Sequence, residues 1–264
     1  MPEKPRNDTD VDAIKAAGIG RTRSKGVESG VTTREFYERK VPHYQEARTP
    51  EVIDMVRQCL PRQGRLLDVG CGTGNLLSEF QEQASFLAGV DISSEACALA
   101  REVADVVLNG TIEGDDFSFE EHTFDVVVCA DILEHLVHPE VAIAKAIQWC
   151  RPEGTVIVSV PNIAYWQARV RLFRGIWTYE ETGIFDEGHL RFFTYASLLS
   201  FLETAGLVIV DYRPVLQPLW RHVRGLHLLP AAVLSPLERE WVRLGTRRPS
   251  LFARQHVYAC RLIA

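Results

Sequence analysis

The chain has 264 residues, 46% of them hydrophobic and 24% charged, with 18 Gly and 13 Pro; this is long enough to bury a full core in one large domain or a domain with an appended lid, and it excludes collagen, coiled coil and wholesale disorder. A formal charge of −6 gives no global positive field of the kind that neutralises polynucleotide phosphates, so no nucleic-acid partner is expected. Cys59, Cys71, Cys97, Cys129, Cys150 and Cys260 form no CxxC pair and no zinc-like spacing, which predicts reduced thiols and neither a disulfide framework nor a structural metal.

The first residues, MPEKPRNDTDVDAIK, are polar and lack the apolar core of a secretion signal, and nowhere do 18 uncharged apolar residues follow one another. A cytoplasmic location without integral membrane association is the expectation. Residues 1–30 carry charge, Gly and Ser without a sustained apolar period and are read as a flexible arm. The remaining 31–264 then form the main domain. Within it, 31–62 reads as a helical cover, with Phe36, Tyr37, Tyr44, Val52, Ile53, Val56 and Leu60 at mixed helical spacings broken by Pro42 and Pro50.

Next come apolar runs alternating with helical patterns. Strands are predicted at 65–69, 86–91, 104–108, 124–129 and 154–160, with helices after the first, second and fourth. Several of these runs are nearly unbroken, as strands buried on both faces should be. The order predicts an α/β fold with a Rossmann-like, doubly wound, mostly parallel seven-stranded sheet. Residues 161–177 read as a helix, 178–193 as a loop dense in charge and aromatics, and 194–206 as a helix opened by Thr194 and closed by Gly206. A strand at 207–212 and another at the C-terminus complete the sheet. Between them, 213–252 reads as a helical insertion that serves, with the N-terminal cover, as a lid.

The most specific feature is Leu66-Leu67-Asp68-Val69-Gly70-Cys71-Gly72-Thr73-Gly74-Asn75, a buried strand entering three alternate glycines and then a helix. Such a bend lets a ligand lie against bare main chain. The dinucleotide fingerprint GxGxxG would put a glycine where Asn75 stands, and Asp68 would repel a phosphate while attracting a cation. Asp91, ending the second strand, is placed to accept hydrogen bonds from both ribose hydroxyls. Tight packing for the glycines, a loop cap for Asp68 and a helix start for Asp91 are the structural alternatives.

LLDVGCGTGN, GVDIS and FDVVVCADILEHLVHPE together resemble the motifs of class I S-adenosylmethionine-dependent methyltransferases over roughly residues 35–212. The resemblance implies S-adenosylmethionine as cofactor, with S-adenosylhomocysteine as product. It also implies that Asp68 and the backbone of Gly70, Cys71, Gly72, Gly74 and Asn75 hold the methionine end, Asp91 the ribose, and Ile92 one adenine face. Thr111, Ile112 and Glu113 would line the adenine edge, although the usual Gly-Asp pair reads Gly110-Thr111 here; Ala130 completes the set. Tyr37 and Tyr44 could face the sulfonium and Arg48 the methionine carboxylate, with core packing as the alternative for the tyrosines.

The expected reaction is methylation of a small organic molecule, foremost at oxygen with a histidine as general base, with N- or C-methylation or a non-catalytic cofactor-binding regulator as alternatives. Two histidines qualify. His135 follows the fourth strand, where it could instead pair with Glu134 or a helix end; His189 lies with two carboxylates and an arginine in FDEGHLRFFT, where a surface loop is the alternative. The segment from PNIAYWQARVRLFRG to GHLRFFT is similar to a subgroup that includes the methionine-biosynthesis-protein-W-like proteins. Asp131 and Glu134 make an acidic pair, but no further metal ligands are identifiable, so no metal is expected. Trp166, Phe173, Trp177, Tyr179 and Trp220 suggest an aromatic lid over the acceptor. The sequence says nothing of the acceptor's identity or of oligomeric state.

Overall fold

The computed structural model describes residues 32–41, 49–114, 118–221 and 231–262. The arm at 1–30, Tyr44 and Arg48 lie outside the described residues, as do the side chains of Trp220 and residues 231–233. Seven strands form one sheet: β1 (Gly64–Val69), β2 (Ala84–Asp91), β3 (Val106–Asn109), β4 (Phe124–Ala130), β5 (Cys150–Pro161), β6 (Leu207–Leu216) and β7 (Ala253–Leu262). Their spatial order is β3-β2-β1-β4-β5-β7-β6. β1 to β5 run parallel, while β7 pairs antiparallel with both β5 and β6. The chain order therefore reverses direction between β1 and β4, which opens a crevice at their carboxyl ends.

The helices are α1 (Thr33–Lys40), α2 (Pro50–Cys59), α3 (Asn75–Ser78), α4 (Ser94–Ala100), α5 (Pro139–Trp149), α6 (Trp166–Phe173), α7 (Tyr195–Thr204), α8 (Ala231–Arg247) and α9 (Pro249–Phe252). The apolar runs bury both faces of the sheet. On one face Val127, Cys129, Val156 and Val158 pack with Trp149 of α5 and with Leu198 and Leu202 of α7; on the other, Val126, Val128 and Ile157 pack with Val52, Met55 and Val56 of α2 and with Leu77 and Ala100. Alternation along adjacent residues is what period-two strand geometry requires. Trp149 is fully buried, and its truncation to Ala would cost about 3–5 kcal/mol.

Several boundaries differ from the sequence pattern for visible reasons. The helix read over 161–177 shrinks to α6, because Asn162 ties the chain down first: its side chain accepts from Ala164 N at 2.9 Å and donates to Ala253 O at 2.8 Å. β3 starts at Val106 rather than at 104, since the Asp105 carboxylate turns to accept from Leu87 N at 2.8 Å. β6 continues past Tyr212 to Leu216 on the ladder of β7. α7 matches the expectation, with Thr194 and Ser197 forming the reciprocal cap at its start. No helix among the described residues is long and apolar enough to cross a membrane.

Candidate active site

The carboxyl ends of β1, β2 and β4 open into a cavity of about 470 Å³. Its first half is built from main chain. Gly70, Gly72 and Gly74 all take positive φ, bending the strand sharply into α3. A Cβ on Gly74 would lie 2.6 Å from Val103 and 3.1 Å from the Ala100 backbone, so this glycine lets the bend pack on α4 and does not line the cavity. Asp91 fastens the bend: one carboxylate oxygen accepts from Gly72 N at 2.8 Å and the other from Ser93 N at 2.8 Å.

Tyr37, Gly70, Cys71, Gly72, Asn75, Asp91, Ile92, Thr111, Ile112 and Glu113 all line this cavity, as do both histidines. Asp68 and Ala130 do not; both are fully buried at the strand ends beneath it. Lys40, Arg254 and Gln255, which the sequence did not single out, also form its wall, as do Asp131, weighed there only as half of an acidic pair, and Asp186, there only a carboxylate near His189. Asp131 carried one signal, its place beside Glu134 and His135. The structure adds another: its φ of 54° is a conformation unusual for a residue with a side chain. Its Oδ1 accepts from Ser159 Oγ at 3.0 Å and from Gln255 Nε2 at 2.6 Å.

The aromatic lid is not where the sequence put it. Trp166, Phe173, Trp177 and Tyr179 are absent from the cavity wall. Trp177 instead packs edge-on against Phe185 and Phe192, each at 5.2 Å between centroids, and Phe173 is 94% exposed. The 178–193 loop lines the cavity through Glu181 to Ile184, Asp186 and His189, while its Phe185 and Phe193 are buried in packing away from the cavity.

The second half of the cavity is built from side chains. His135, in a short 3-10 turn at Leu133–His135, bonds through Nδ1 to Gly188 O at 3.0 Å, and His189 bonds through Nδ1 to Ile184 O at 3.1 Å. A carbonyl only accepts, so each Nδ1 carries the proton and each neutral ring keeps its Nε2 lone pair. The rings meet edge to face at 4.7 Å. Burial, then the neighbouring charge of His189, pushes the His135 pKa down to about 4; burial likewise lowers that of His189, against the pull of Asp186. Both rings are thus neutral near pH 7. Glu134 Oε1 stands 4.0 Å from His189 Nε2. Donor atoms of Glu134, His135 and His189 lie within 4.8 Å of one another, the ligand grouping that the linear sequence did not reveal.

Tyr37 meets His135 edge-on at 5.8 Å; burial, then the Asp186 charge, raises the pKa of its phenol, which stays neutral. Among the described residues, Asp91, Glu113, Asp131, Glu134, Glu181 and Asp186 face the cavity against Lys40 and Arg254. This excess of carboxylates favours a cationic ligand and opposes a diphosphate.

A protein-family model described as a methyltransferase domain matches residues 43–212. The chain belongs to this methyltransferase family. Among curated proteins, it is 32% identical over 108 residues to a ubiquinone biosynthesis O-methyltransferase of Neisseria meningitidis, covering 38% of this chain and 45% of that protein. A protein of the same description from Aromatoleum aromaticum is 28% identical over 166 residues, covering 58% and 70%. The chain spans about half the length of the first of these relatives. Among solved structures, a SAM-dependent methyltransferase from Thermotoga maritima superposes with a TM-score of 0.55 at 18% identity over 86% of this chain and 98% of that one. The cyclase SpnF superposes at 0.51 with 19% identity, covering 80% of each chain. At such identities these structures speak for the fold alone, and the fold hosts more than one reaction.

Proposed function

We propose that the chain is an S-adenosylmethionine-dependent methyltransferase acting on a small organic molecule, foremost at a hydroxyl oxygen. The observation that carries this is the carboxylate-rich cavity around a glycine bend whose amide is held by Asp91. Asp91 and the backbone at Gly70–Gly72 would hold the ribose and methionine ends, and Ile92, Thr111 and Ile112 the adenine. The cofactor, when bound, supplies a methyl group on a sulfonium, so the chain contributes alignment, exclusion of water and a proton acceptor. His135 is the proposed acceptor: its Nε2 is unprotonated, and it is the less buried of the pair. A weak base suffices, because the hydroxyl proton becomes strongly acidic only as the new carbon–oxygen bond forms. His189, beside Glu134, orders the far side of the pair. The likeness of the 161–194 segment to methionine-biosynthesis-protein-W-like proteins supports that subgroup as the finer assignment.

Calorimetric titration of the full chain with S-adenosylhomocysteine and with NAD tests the reading. It predicts saturable binding of the first and none of the second, and preference for NAD contradicts it. A second reading has the Glu134, His135 and His189 grouping in its favour: a divalent cation there would lower the hydroxyl pKa in place of a base. Activity that survives exhaustive chelation and dialysis would retain the base; activity restored only by added Mn²⁺ would replace it with the cation.

A further inference from the structure

Between α1 and His135 runs a continuous polar relay that the reaction as described above does not use. Lys40, in the last turn of α1, places Nζ 2.5 Å from Asp186 Oδ1 and donates as well to Glu181 O at 3.3 Å. Both side chains of the ion pair are only 11% exposed. The same Asp186 oxygen accepts from Gly188 N at 2.6 Å. Gly188 O, at the other end of that residue, accepts from His135 Nδ1 at 3.0 Å. The fit around Gly188 is close: a Cβ there would stand 3.1 Å from Asp186 Oδ1, from His135 Nδ1 and from the Phe36 ring. Phe36, also on α1, lies beneath the Lys40 ammonium at 4.9 Å.

α1 is anchored at a second point. Glu38 accepts from Ser93 Oγ at 2.6 Å and from Ser94 N at 2.8 Å, at the start of α4 and two residues beyond Asp91. The helix therefore spans the site, tied at one side to the turn that follows the proposed ribose carboxylate and at the other to the loop that holds the proposed base. Tyr37, between these anchors, is on the cavity wall.

The geometry points to Lys40 and Asp186 as positioning residues: the ion pair fixes Gly188 through its N–H, and the carbonyl of that same residue, on the following peptide, holds His135 as the Nδ1–H tautomer with its Nε2 lone pair available to the acceptor. This inference rests on the assignment of His135 as proton acceptor in the preceding reading. A buried ion pair contributes little net stability against a well-packed apolar substitute, so a fixed tautomer is the property it is suited to supply.

The test reads the tautomer directly and needs no methyl acceptor. The full chain, labelled with ¹⁵N in histidine and saturated with S-adenosylhomocysteine, is examined by long-range ¹H–¹⁵N correlation, with the His135 signals assigned by His135→Gln. Wild type should show one His135 tautomer protonated at Nδ1. Lys40→Gln and Asp186→Asn should each convert it to a mixture with an Nε2–H population, and Lys40→Arg should restore the single form. An unchanged tautomer in a folded Lys40→Gln or Asp186→Asn protein overturns the inference; either variant suffices if the other fails to fold. Wild type that shows the relay-dependent tautomer in a spectrum taken without ligand, but binds no S-adenosylhomocysteine, would sink the functional reading while leaving the positioning role intact.

Discussion

The two halves of the cavity are made by different means. Around the glycine bend the wall is largely backbone together with the carboxylates of Asp91 and Glu113, contributed by β1, β2, β3 and the turns that follow them, and Asp91 is bonded to amides at both of its oxygens. Around the histidines the wall is side chains from α1, the turn after β4, the 178–193 loop and the start of β7. The first half is fixed by local geometry and suits a ligand common to many proteins. The second is assembled from distant segments, each free to change without disturbing the sheet, and that is where an individual acceptor would be chosen.

If this division is real, damage to the two halves should separate. The largest effect is expected from His135→Ala, which should lower turnover by about 10²–10⁴-fold while leaving S-adenosylhomocysteine affinity within about threefold; calorimetry and initial rates on the same preparation check both. Acid should act on the fold as well as on turnover. Burial holds both His135 and His256 near pKa 4, below the unfolded value of about 6.5. The unfolded chain then binds more protons between these limits, so the stability from keeping each ring neutral is complete above about pH 6.5 and is lost as pH falls towards 4. Each site contributes roughly 3 kcal/mol at most, and urea melts from pH 7.5 to 4.5 should show the decline, partly suppressed in His256→Phe.

The backbone half is tested by Asp91→Asn, which leaves one oxygen for two amide donors and should weaken S-adenosylhomocysteine binding about 100-fold, near 3 kcal/mol, with no change in the His135 tautomer. Gly74→Ala should cost about 1–3 kcal/mol in a urea melt, because the Cβ meets Val103 and the Ala100 backbone at positive φ. The smallest effect is expected for Phe173→Ser, within about 0.5 kcal/mol of wild type; the ring is almost wholly in solvent, and a change in cofactor affinity here would contradict the outward placement of the aromatics.

The same division explains what the sequence made readable. The strands showed as nearly unbroken Val, Ile and Leu runs because burial on both faces demands them, and the glycine bend and Asp91 lie on adjacent strands within 22 residues of each other. Thr194 announced the start of α7, and the structure shows it capping the helix reciprocally with Ser197, three residues on. No such local signal existed for Lys40 and Asp186, which are 146 positions apart, or for Gln255, which reaches Asp131 only because β7 inserts between β5 and β6. The aromatic lid failed as an expectation for the same reason. Apolar content shows that a ring will pack, whereas contacts between distant segments decide which side it faces.

The central claim is that the bend gripped by Asp91 holds a cationic amino-acid nucleoside rather than a diphosphate. Competitive calorimetry on wild type and Asp91→Asn measures it most directly. S-adenosylhomocysteine should bind, resist displacement by NAD and bind about 100-fold more weakly to the variant; displacement by NAD, or equal affinity in both proteins, would show that Asp91 does not hold such a ligand.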